Sequence, residues 1–157
     1  MLEIERKFLV QNQDFKIEAF QSFEIKQGYL NSHPERTTRI RIKELEAFIT
    51  VKGKSSENGL SRFEWEKEIN LKDAEALLKL CESGKIEKTR YLIKSGNHTF
   101  EVDEFYGQNQ GLIVAEVEMK SEEDEVILPK WLGKEVTGEQ KYYNSALTQH
   151  PYCSWEK

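Results

Sequence analysis

Acidic and basic side chains alternate with apolar ones along several segments of this 157-residue sequence. The first such segment has Glu3, Glu5 and Lys7 at every second position. Successive side chains of a β-strand point to opposite faces, so these three share one face if the segment is a strand. Carboxylates two residues apart on a strand lie roughly 7 Å from each other and repel by about 2 kcal/mol at an effective dielectric constant of ~20. The spacing therefore indicates a face on which charge has a chemical role.

The same alternation returns in later segments, and the two signs of charge occupy different segments. The acidic positions are Glu64, Glu66, Asp103, Glu116 and Glu118, and the basic positions are Arg39, Arg41, Lys52, Lys88 and Arg90. A half-solvated antiparallel sheet would explain any one segment, but solvated faces usually interleave the signs. Three acidic pairs at about 2 kcal/mol each would cost a large part of a typical domain stability of ~5–15 kcal/mol. Metal bound beside the acids and a polyanion bound beside the bases would offset this repulsion.

Composition limits the classes of function. The formal net charge of -5 argues against a dedicated binder of long nucleic acid. No apolar run approaches the length of a membrane span, and the charged first segment does not resemble a signal peptide. Cys81 and Cys153 lie far apart and neither belongs to a CxxC pair, so we expect a reducing cytoplasm. We expect one domain over residues 1–157, with neither a membrane nor a nucleic acid partner.

Period-two alternation and the turn residues between runs predict eight strands. They span residues 2–10, 23–30, 36–43, 46–52, 62–71, 85–94, 98–106 and 112–120. Helices are predicted over 74–81 with Asp73 as N-cap, as a short helical turn from a capping box at Ser121, and over 137–147 from a capping box at Thr137. Like charges gathered on one face of eight antiparallel strands predict a strand-dominated α+β fold, a closed barrel with a polar interior. Its apolar outer faces would be covered by helices or by a partner, such as a second copy in a homodimer.

These charged segments resemble those of the CYTH domain, the domain of the triphosphate tunnel metalloenzymes. The resemblance begins at the ExExK motif of residues 3–7 and covers nearly the whole chain. It continues through motifs at residues 27–30, 39–41, 51–52, 60–66, 87–91, 102–103, 115–118, 135–137 and 142–144. The motifs look most like those of small bacterial proteins that hydrolyse inorganic triphosphate. The resemblance implies an eight-stranded antiparallel barrel whose charged lumen binds a triphosphate together with a divalent metal.

The resemblance and the chemistry of the side chains assign the same roles. Arginines offer parallel donors to phosphate and lysines offer point charges, whereas carboxylates are hard ligands that suit Mg²⁺ or Mn²⁺. The expected phosphate-binding residues are Lys7, Arg39, Arg41, Lys52, Lys88 and Arg90. The expected metal ligands are Glu3, Glu5, Asp103, Glu116 and Glu118, while Glu64 and Glu66 would be either further ligands or partners of the basic residues.

The resemblance also implies a catalytic pair, Lys7 and Tyr29, that positions and deprotonates the attacking water. Tyr29 belongs to the second predicted strand, which we expect to neighbour the first. Without the resemblance, Tyr29 beside Gly28 would be interpreted as a packed aromatic residue.

The expected function is metal-dependent hydrolysis of inorganic triphosphate to pyrophosphate and phosphate. Nucleoside or thiamine triphosphate would be alternative substrates. A class IV-type adenylate cyclase shares the barrel but expels pyrophosphate by internal attack of the ribose hydroxyl. A further alternative is a non-catalytic module that binds polyphosphate. The sequence has no feature typical of an adenine pocket, and its complete set of acids argues against a binder that works without metal.

Overall fold

The computed structural model describes residues 2–156, and about half of them belong to strands. The strands are β1 (Leu2–Val10), β2 (Gln21–Asn31), β3 (Arg36–Lys43), β4 (Glu46–Ser55), β5 (Ser61–Ile69), β6 (Ile86–Ser95), β7 (His98–Phe105), β8 (Ile113–Glu118) and β9 (Leu132–Glu135). The helices are α1 (Phe15–Glu18), α2 (Leu71–Leu80) and α3 (Asn144–Leu147). Short 3₁₀ turns span Gly107–Asn109, Gln140–Tyr142 and Tyr152–Ser154. No helix among the described residues has both the length and the apolar character needed to cross a membrane.

Antiparallel pairing runs in the order β5-β4-β3-β2-β6-β7-β8-β1, and pairing of β1 with β5 closes the ring. Strand β9 adds to β1 outside this ring. The predicted closed eight-stranded barrel with a few helices is therefore confirmed. The expectation that β2 neighbours β1 is wrong, because β3, β4 and β5 separate them on one side and β6, β7 and β8 on the other. The two strands face each other across the lumen.

All eight predicted strands are present, but the helix predictions were less accurate. The side chain of Asn70, rather than that of Asp73, accepts the hydrogen bond that caps α2, from the backbone N–H of Lys72 at 2.8 Å. Residues after Ser121 form a turn rather than a helix, and the Asp124 carboxylate accepts from the backbone N–H of Lys120. Strand β9 and helix α1 are only four residues long and were not predicted.

The predicted helix over 137–147 is replaced by a 3₁₀ turn and the four-residue α3. Thr137 caps no helix there, because its hydroxyl accepts a hydrogen bond from the backbone N–H of Lys7 at 3.0 Å. The same hydroxyl donates to Glu135 at 2.6 Å. Thr137 therefore links the segment after β9, residues 136–156, to β1; this part of the chain is called the C-terminal segment below.

Two apolar clusters cover opposite outer faces of the barrel. On one face Ala74 and Leu78 of α2 pack against Ile40 and Ala47 of β3 and β4. On the other face a larger cluster joins α1 and the segment before β9 to β1, β6, β7 and β8. It contains Phe8, Phe15, Ile93, Phe100, Val102, Ala115, Val117, Trp131 and Leu132. Burial of these side chains is the main term that stabilises the barrel wall.

A third apolar cluster closes one end of the lumen. Ile86, Phe105 and Val114 occupy the same strand faces as the charged residues and are buried against Tyr142 and Leu147 of the C-terminal segment. At the other end the inward-facing carboxylates are open to solvent, since the side chains of Glu66 and Glu101 are each 40% exposed. The lumen is therefore a pocket with a closed floor and one charged mouth.

Candidate active site

A cavity of about 300 Å³ occupies the lumen, and all eight barrel strands contribute to its lining. The basic residues that line it are Lys7, Arg39, Arg41, Lys52, Arg62, Lys88 and Arg90. The acidic residues that line it are Glu3, Glu5, Glu64, Glu66, Glu101, Glu116 and Glu118. Tyr29 also lines it. The fold thus brings together every predicted site residue except Asp103.

The order of the strands sorts the two signs of charge onto opposite walls. Strands β4, β3, β2 and β6 are consecutive in the barrel, and their charged residues in the lining are all basic. Strands β7, β8, β1 and β5 are also consecutive, and they carry all the acidic residues in the lining. Only Lys7 and Arg62 add basic side chains to this acidic wall. A ligand in the cavity therefore meets a cationic surface on one side and a carboxylate surface on the other.

The basic wall holds donors that the rest of the described chain does not satisfy. One terminal nitrogen of Arg39 donates to Thr50 at 3.0 Å and lies 3.3 Å from Glu66, but its Nε is buried without a hydrogen-bond partner among residues 2–156. Within the same residues, Arg41 has no carboxylate within 4.0 Å and donates only from Nε, to the amide oxygen of Gln27 at 2.8 Å. Burial, helped by Arg39 and Arg90, lowers the pKa of Arg41 to about 9. Such donors suit an anion that enters the cavity.

Asp103 lies behind the cavity lining, between two of the basic residues. Its carboxylate accepts two hydrogen bonds from Arg90, at 2.7 and 2.9 Å, and lies 2.8 Å from the Lys88 ammonium. Burial alone would raise the pKa of Asp103, but the charges of Arg90 and Lys88 outweigh it and hold that pKa well below its ordinary value. All three side chains are buried. This geometry is that of an ion-pair anchor for the basic wall.

On the acidic wall, β1 and β8 put Glu5 directly opposite Glu118 and Lys7 directly opposite Glu116. Burial works against ionisation of Glu116, but the charges of Lys7 and Arg90 lower its pKa to about 2. Lys52 and Lys7 compensate the charge of Glu5 only in part, so burial together with Glu116 and Glu3 raises its pKa well above the ordinary value. The pKa of Glu118 is raised as well, by burial, Glu3 and Glu101. Glu5 and Glu118 are thus paired carboxylates, and within residues 2–156 neither forms an ion pair within 4.0 Å.

A divalent cation fits this donor set. The chemistry of the wall is hard carboxylate oxygen, and two opposed carboxylates of raised pKa would both be stabilised by a cation between them. No group of three acidic, histidine or cysteine side chains among the described residues already forms a complete metal site. Glu3 lies 2.9 Å from Lys52, and burial together with Glu3 raises the pKa of Glu64 to about 7. Substrate oxygens would therefore have to complete the coordination of a cation held here.

Lys7 and Tyr29 reach the same cavity from opposite strands of the barrel. The Lys7 ammonium lies 3.7 Å from Glu116 and 4.8 Å from the centre of the Tyr143 ring. Tyr29 is buried, and on β2 it pairs directly with Arg39 of β3. Tyr29 is therefore part of the basic wall, whereas Lys7 belongs to the acidic wall.

Comparison with known proteins agrees with this architecture. Residues 1–151 match the CYTH domain. This chain belongs to the CYTH family. It is 40% identical over 156 residues to the inorganic triphosphatase of Acetivibrio thermocellus, with 99% of this chain and 98% of that one covered. It is also 40% identical over 152 residues to the inorganic triphosphatase of Nitrosomonas europaea, with 94% and 97% covered. The crystal structure of the inorganic triphosphatase NE1496 superposes with a TM-score of 0.62 at 34% identity, covering 93% of this chain and 97% of that chain.

Several residues of this CYTH lumen were not predicted from the sequence. Arg62 and Glu101 each precede a predicted site residue by two positions on a strand, so the same alternation could have identified them. Thr50 faces Glu66 across β4 and β5, and its hydroxyl donates to that carboxylate at 2.7 Å. Asn144 and Ser145 line the cavity from the C-terminal segment, and period-two alternation gives no signal for them.

Proposed function

We propose that this CYTH protein hydrolyses inorganic triphosphate to pyrophosphate and phosphate with the help of a divalent cation, Mg²⁺ or Mn²⁺. The observation that carries the proposal is that the basic and acidic walls face each other and that the charges on each wall are only partly paired within the protein. Among the residues that the structure describes, Arg39 and Arg41 have donors without a partner, and Glu5 and Glu118 face each other without an ion pair within 4.0 Å. A triphosphate bound with a divalent cation supplies both missing charges.

The basic wall and Lys7 would bind the phosphate oxygens. Arg39 and Arg41 present guanidinium groups from adjacent positions of one face of β3, with Lys52 on the neighbouring β4 and Lys88 on β6, beyond β2. Carboxylates of the acidic wall, Glu5 and Glu118 foremost, would hold the cation, which supplies Lewis acidity at the phosphate oxygens when bound. Fixed cations around a transferring phosphoryl group stabilise the charge that spreads over its oxygens in the transition state.

Lys7 and Tyr29 would act on the attacking water. The water oxygen attacks the terminal phosphorus, the bridging P–O bond breaks, and pyrophosphate leaves in line with the attack. The proton of the water would pass to Tyr29 in its phenolate form, which the positive charge of Lys7 would stabilise. Facing positions across the lumen let the two residues bracket a water at one end of the bound triphosphate.

The cavity favours an inorganic substrate over a nucleotide. Its lining is charged or polar apart from Gly59, Leu60 and Gly138, so a base would find little apolar surface. The named activity of both relatives at 40% identity supports the same choice. The free thiols of Cys81 and Cys153 agree with action in a reducing cytoplasm. A homodimer could use the exposed side chains of Leu2 and Phe63, which pair on the outer face of β1 and β5.

The test is to incubate the purified protein separately with tripolyphosphate, ATP and thiamine triphosphate, each with Mg²⁺, with Mn²⁺ and with EDTA. Phosphate, pyrophosphate and cyclic nucleotide are quantified. We expect metal-dependent release of equal amounts of phosphate and pyrophosphate from tripolyphosphate, faster than any reaction of ATP. Faster conversion of ATP to a cyclic product would identify a cyclase. Tight binding of tripolyphosphate with no turnover under any condition would identify a binding module.

A further inference from the structure

A chain of side-chain amides links the basic wall to the C-terminal segment. The Arg41 guanidinium donates from Nε to the Gln27 amide oxygen at 2.8 Å. The Gln27 amide nitrogen donates to the amide oxygen of Asn144 at 2.9 Å. The same Asn144 oxygen accepts from the Lys88 ammonium at 2.8 Å. Lys88 is therefore linked directly, and Arg41 through Gln27, to one oxygen at the floor of the cavity.

Gln27 has no route to a bound ligand of its own. Its side chain is completely buried, and it is not part of the cavity lining. Burying a side-chain amide costs free energy unless the amide forms hydrogen bonds. The Gln27 amide forms them with Arg41 and Asn144. The structural consequence of Gln27 is therefore the orientation of Arg41.

The orientation of Arg41 depends on this one contact. Arg41 has no ion pair among residues 2–156, in contrast to Arg39 and Arg90, which contact Glu66 and Asp103. With Nε held by Gln27, the planar guanidinium is fixed and its terminal nitrogens stay available to a ligand. A preorganised guanidinium loses less conformational freedom when it binds phosphate than a mobile one does.

Asn144 orients Lys88 in the same way, by accepting a hydrogen bond from its ammonium group. An ammonium group has three donors, of which one contacts Asp103 and one contacts Asn144. These two contacts direct the remaining donor. Because the Asn144 oxygen accepts from both Lys88 and Gln27, displacement of the C-terminal segment would remove one hydrogen bond from Lys88 and one from the residue that holds Arg41.

We propose that Gln27 and Asn144 are positioning residues for the phosphate-binding wall, with Gln27 acting through Arg41 and Asn144 acting through both Lys88 and Gln27. The inference rests on the proposed function, since it assigns the wall to phosphate. It makes the C-terminal segment part of the binding machinery as well as the floor of the barrel.

The experiment measures tripolyphosphate affinity by calorimetry, with EDTA present so that metal ligands do not contribute. Gln27→Leu removes both amide contacts of a residue that cannot touch the ligand, and we expect affinity to fall roughly tenfold, the worth of one charge-assisted hydrogen bond. In an Arg41→Ala background Gln27→Leu should lower the affinity less than about twofold, because the guanidinium that Gln27 orients is absent. An Arg39→Ala background is the matched control, since Arg39 lies on the same strand face outside the amide chain, and the full tenfold loss should persist there.

Thermal unfolding of each variant reports whether the fold is intact. If Gln27→Leu does not fold, Asn144→Ala takes its place, and its loss of affinity should be reduced, though not abolished, by Arg41→Ala. Equal losses in all three backgrounds would show a merely structural role and overturn the inference. If the wild type binds tripolyphosphate and Gln27→Leu binds it with the same affinity, the inference is overturned and the proposed function is not. Failure of the wild type to bind tripolyphosphate both in EDTA and with Mg²⁺ or Mn²⁺ would overturn the proposed function, and the inference with it.

Discussion

Replacing Asp103 by asparagine distinguishes an ion-pair anchor from a metal ligand. The carboxylate accepts two hydrogen bonds from Arg90 and contacts Lys88, and all three side chains are buried. Asparagine keeps the shape but removes the charge, which leaves two buried cations without their shared partner. Breaking a buried ion pair in this way costs ~3–5 kcal/mol. For a domain of this size each kcal/mol corresponds to ~2–4 °C in Tm, so we expect a decrease of roughly 6–20 °C.

The matched control is Glu5→Gln, for which the same physics predicts the opposite sign. The pKa of Glu5 is raised by burial, Glu116 and Glu3, so ionised Glu5 destabilises the metal-free fold at neutral pH. Removing its charge should leave the metal-free Tm unchanged or higher. Both variants are unfolded by heat in EDTA at pH 7 and again at about pH 3, below the ordinary carboxyl pKa of ~3.9.

The pH comparison tests the cause of the Asp103 effect. The folded pKa of Asp103 is lowered, so its contribution to stability is complete above the unfolded value and is lost as pH falls below it. The difference in Tm between wild type and Asp103→Asn should therefore shrink from pH 7 to about pH 3. An unchanged metal-free Tm in Asp103→Asn, together with loss of stabilisation by Mg²⁺, would refute the anchor and make Asp103 a metal ligand.

Two further predictions concern the metal and the water. Mg²⁺ or Mn²⁺ at about 100 times its Kd should stabilise the wild type by ~2.7 kcal/mol, and Glu5→Gln with Glu118→Gln should abolish that gain in thermal unfolding; a gain that survives in the double variant would mean that other groups bind the cation. Tyr29→Phe should lower kcat for tripolyphosphate by roughly 10²–10⁴-fold with little change in affinity. Steady-state kinetics beside Arg39→Ala, which should weaken binding as well, checks this, and a Tyr29→Phe variant with wild-type kcat would make Tyr29 a packing residue.

Alternation of charge was sufficient to predict the eight barrel strands and most of the charged residues that line the lumen. Each strand side chain has only two possible directions, so one inward residue such as Glu116 fixes the direction of its neighbours on that strand. The sorting of signs by segment then predicted a charged interior, and the structure has the acidic and basic strands as two contiguous walls. Both inferences needed only local sequence.

The order of strands around the barrel and the roles of individual carboxylates were not accessible in this way. Strand order depends on which distant segments pair, and the sequence-adjacent choice that put β2 beside β1 was wrong. Asp103 is an acidic residue on an inward strand face, as the glutamates are, and only the register that pairs it with Arg90 shows its different surroundings. Thr137 has the pattern of a helix cap, yet a tertiary hydrogen bond to Lys7 overrides the local preference.

The closed floor of the lumen determines how substrate can enter the enzyme and how products can leave it. Ile86, Phe105 and Val114 seal one end against Tyr142 and Leu147, so nothing can pass along the barrel from end to end. A linear polyphosphate could enter only by its terminus and could not thread through for repeated internal cuts. Both products must return through the entrance beside Glu66 and Glu101, where fresh substrate competes with them for passage. Pyrophosphate would have to leave through this single entrance against the attraction of the basic wall. Its release is therefore a step that can limit turnover.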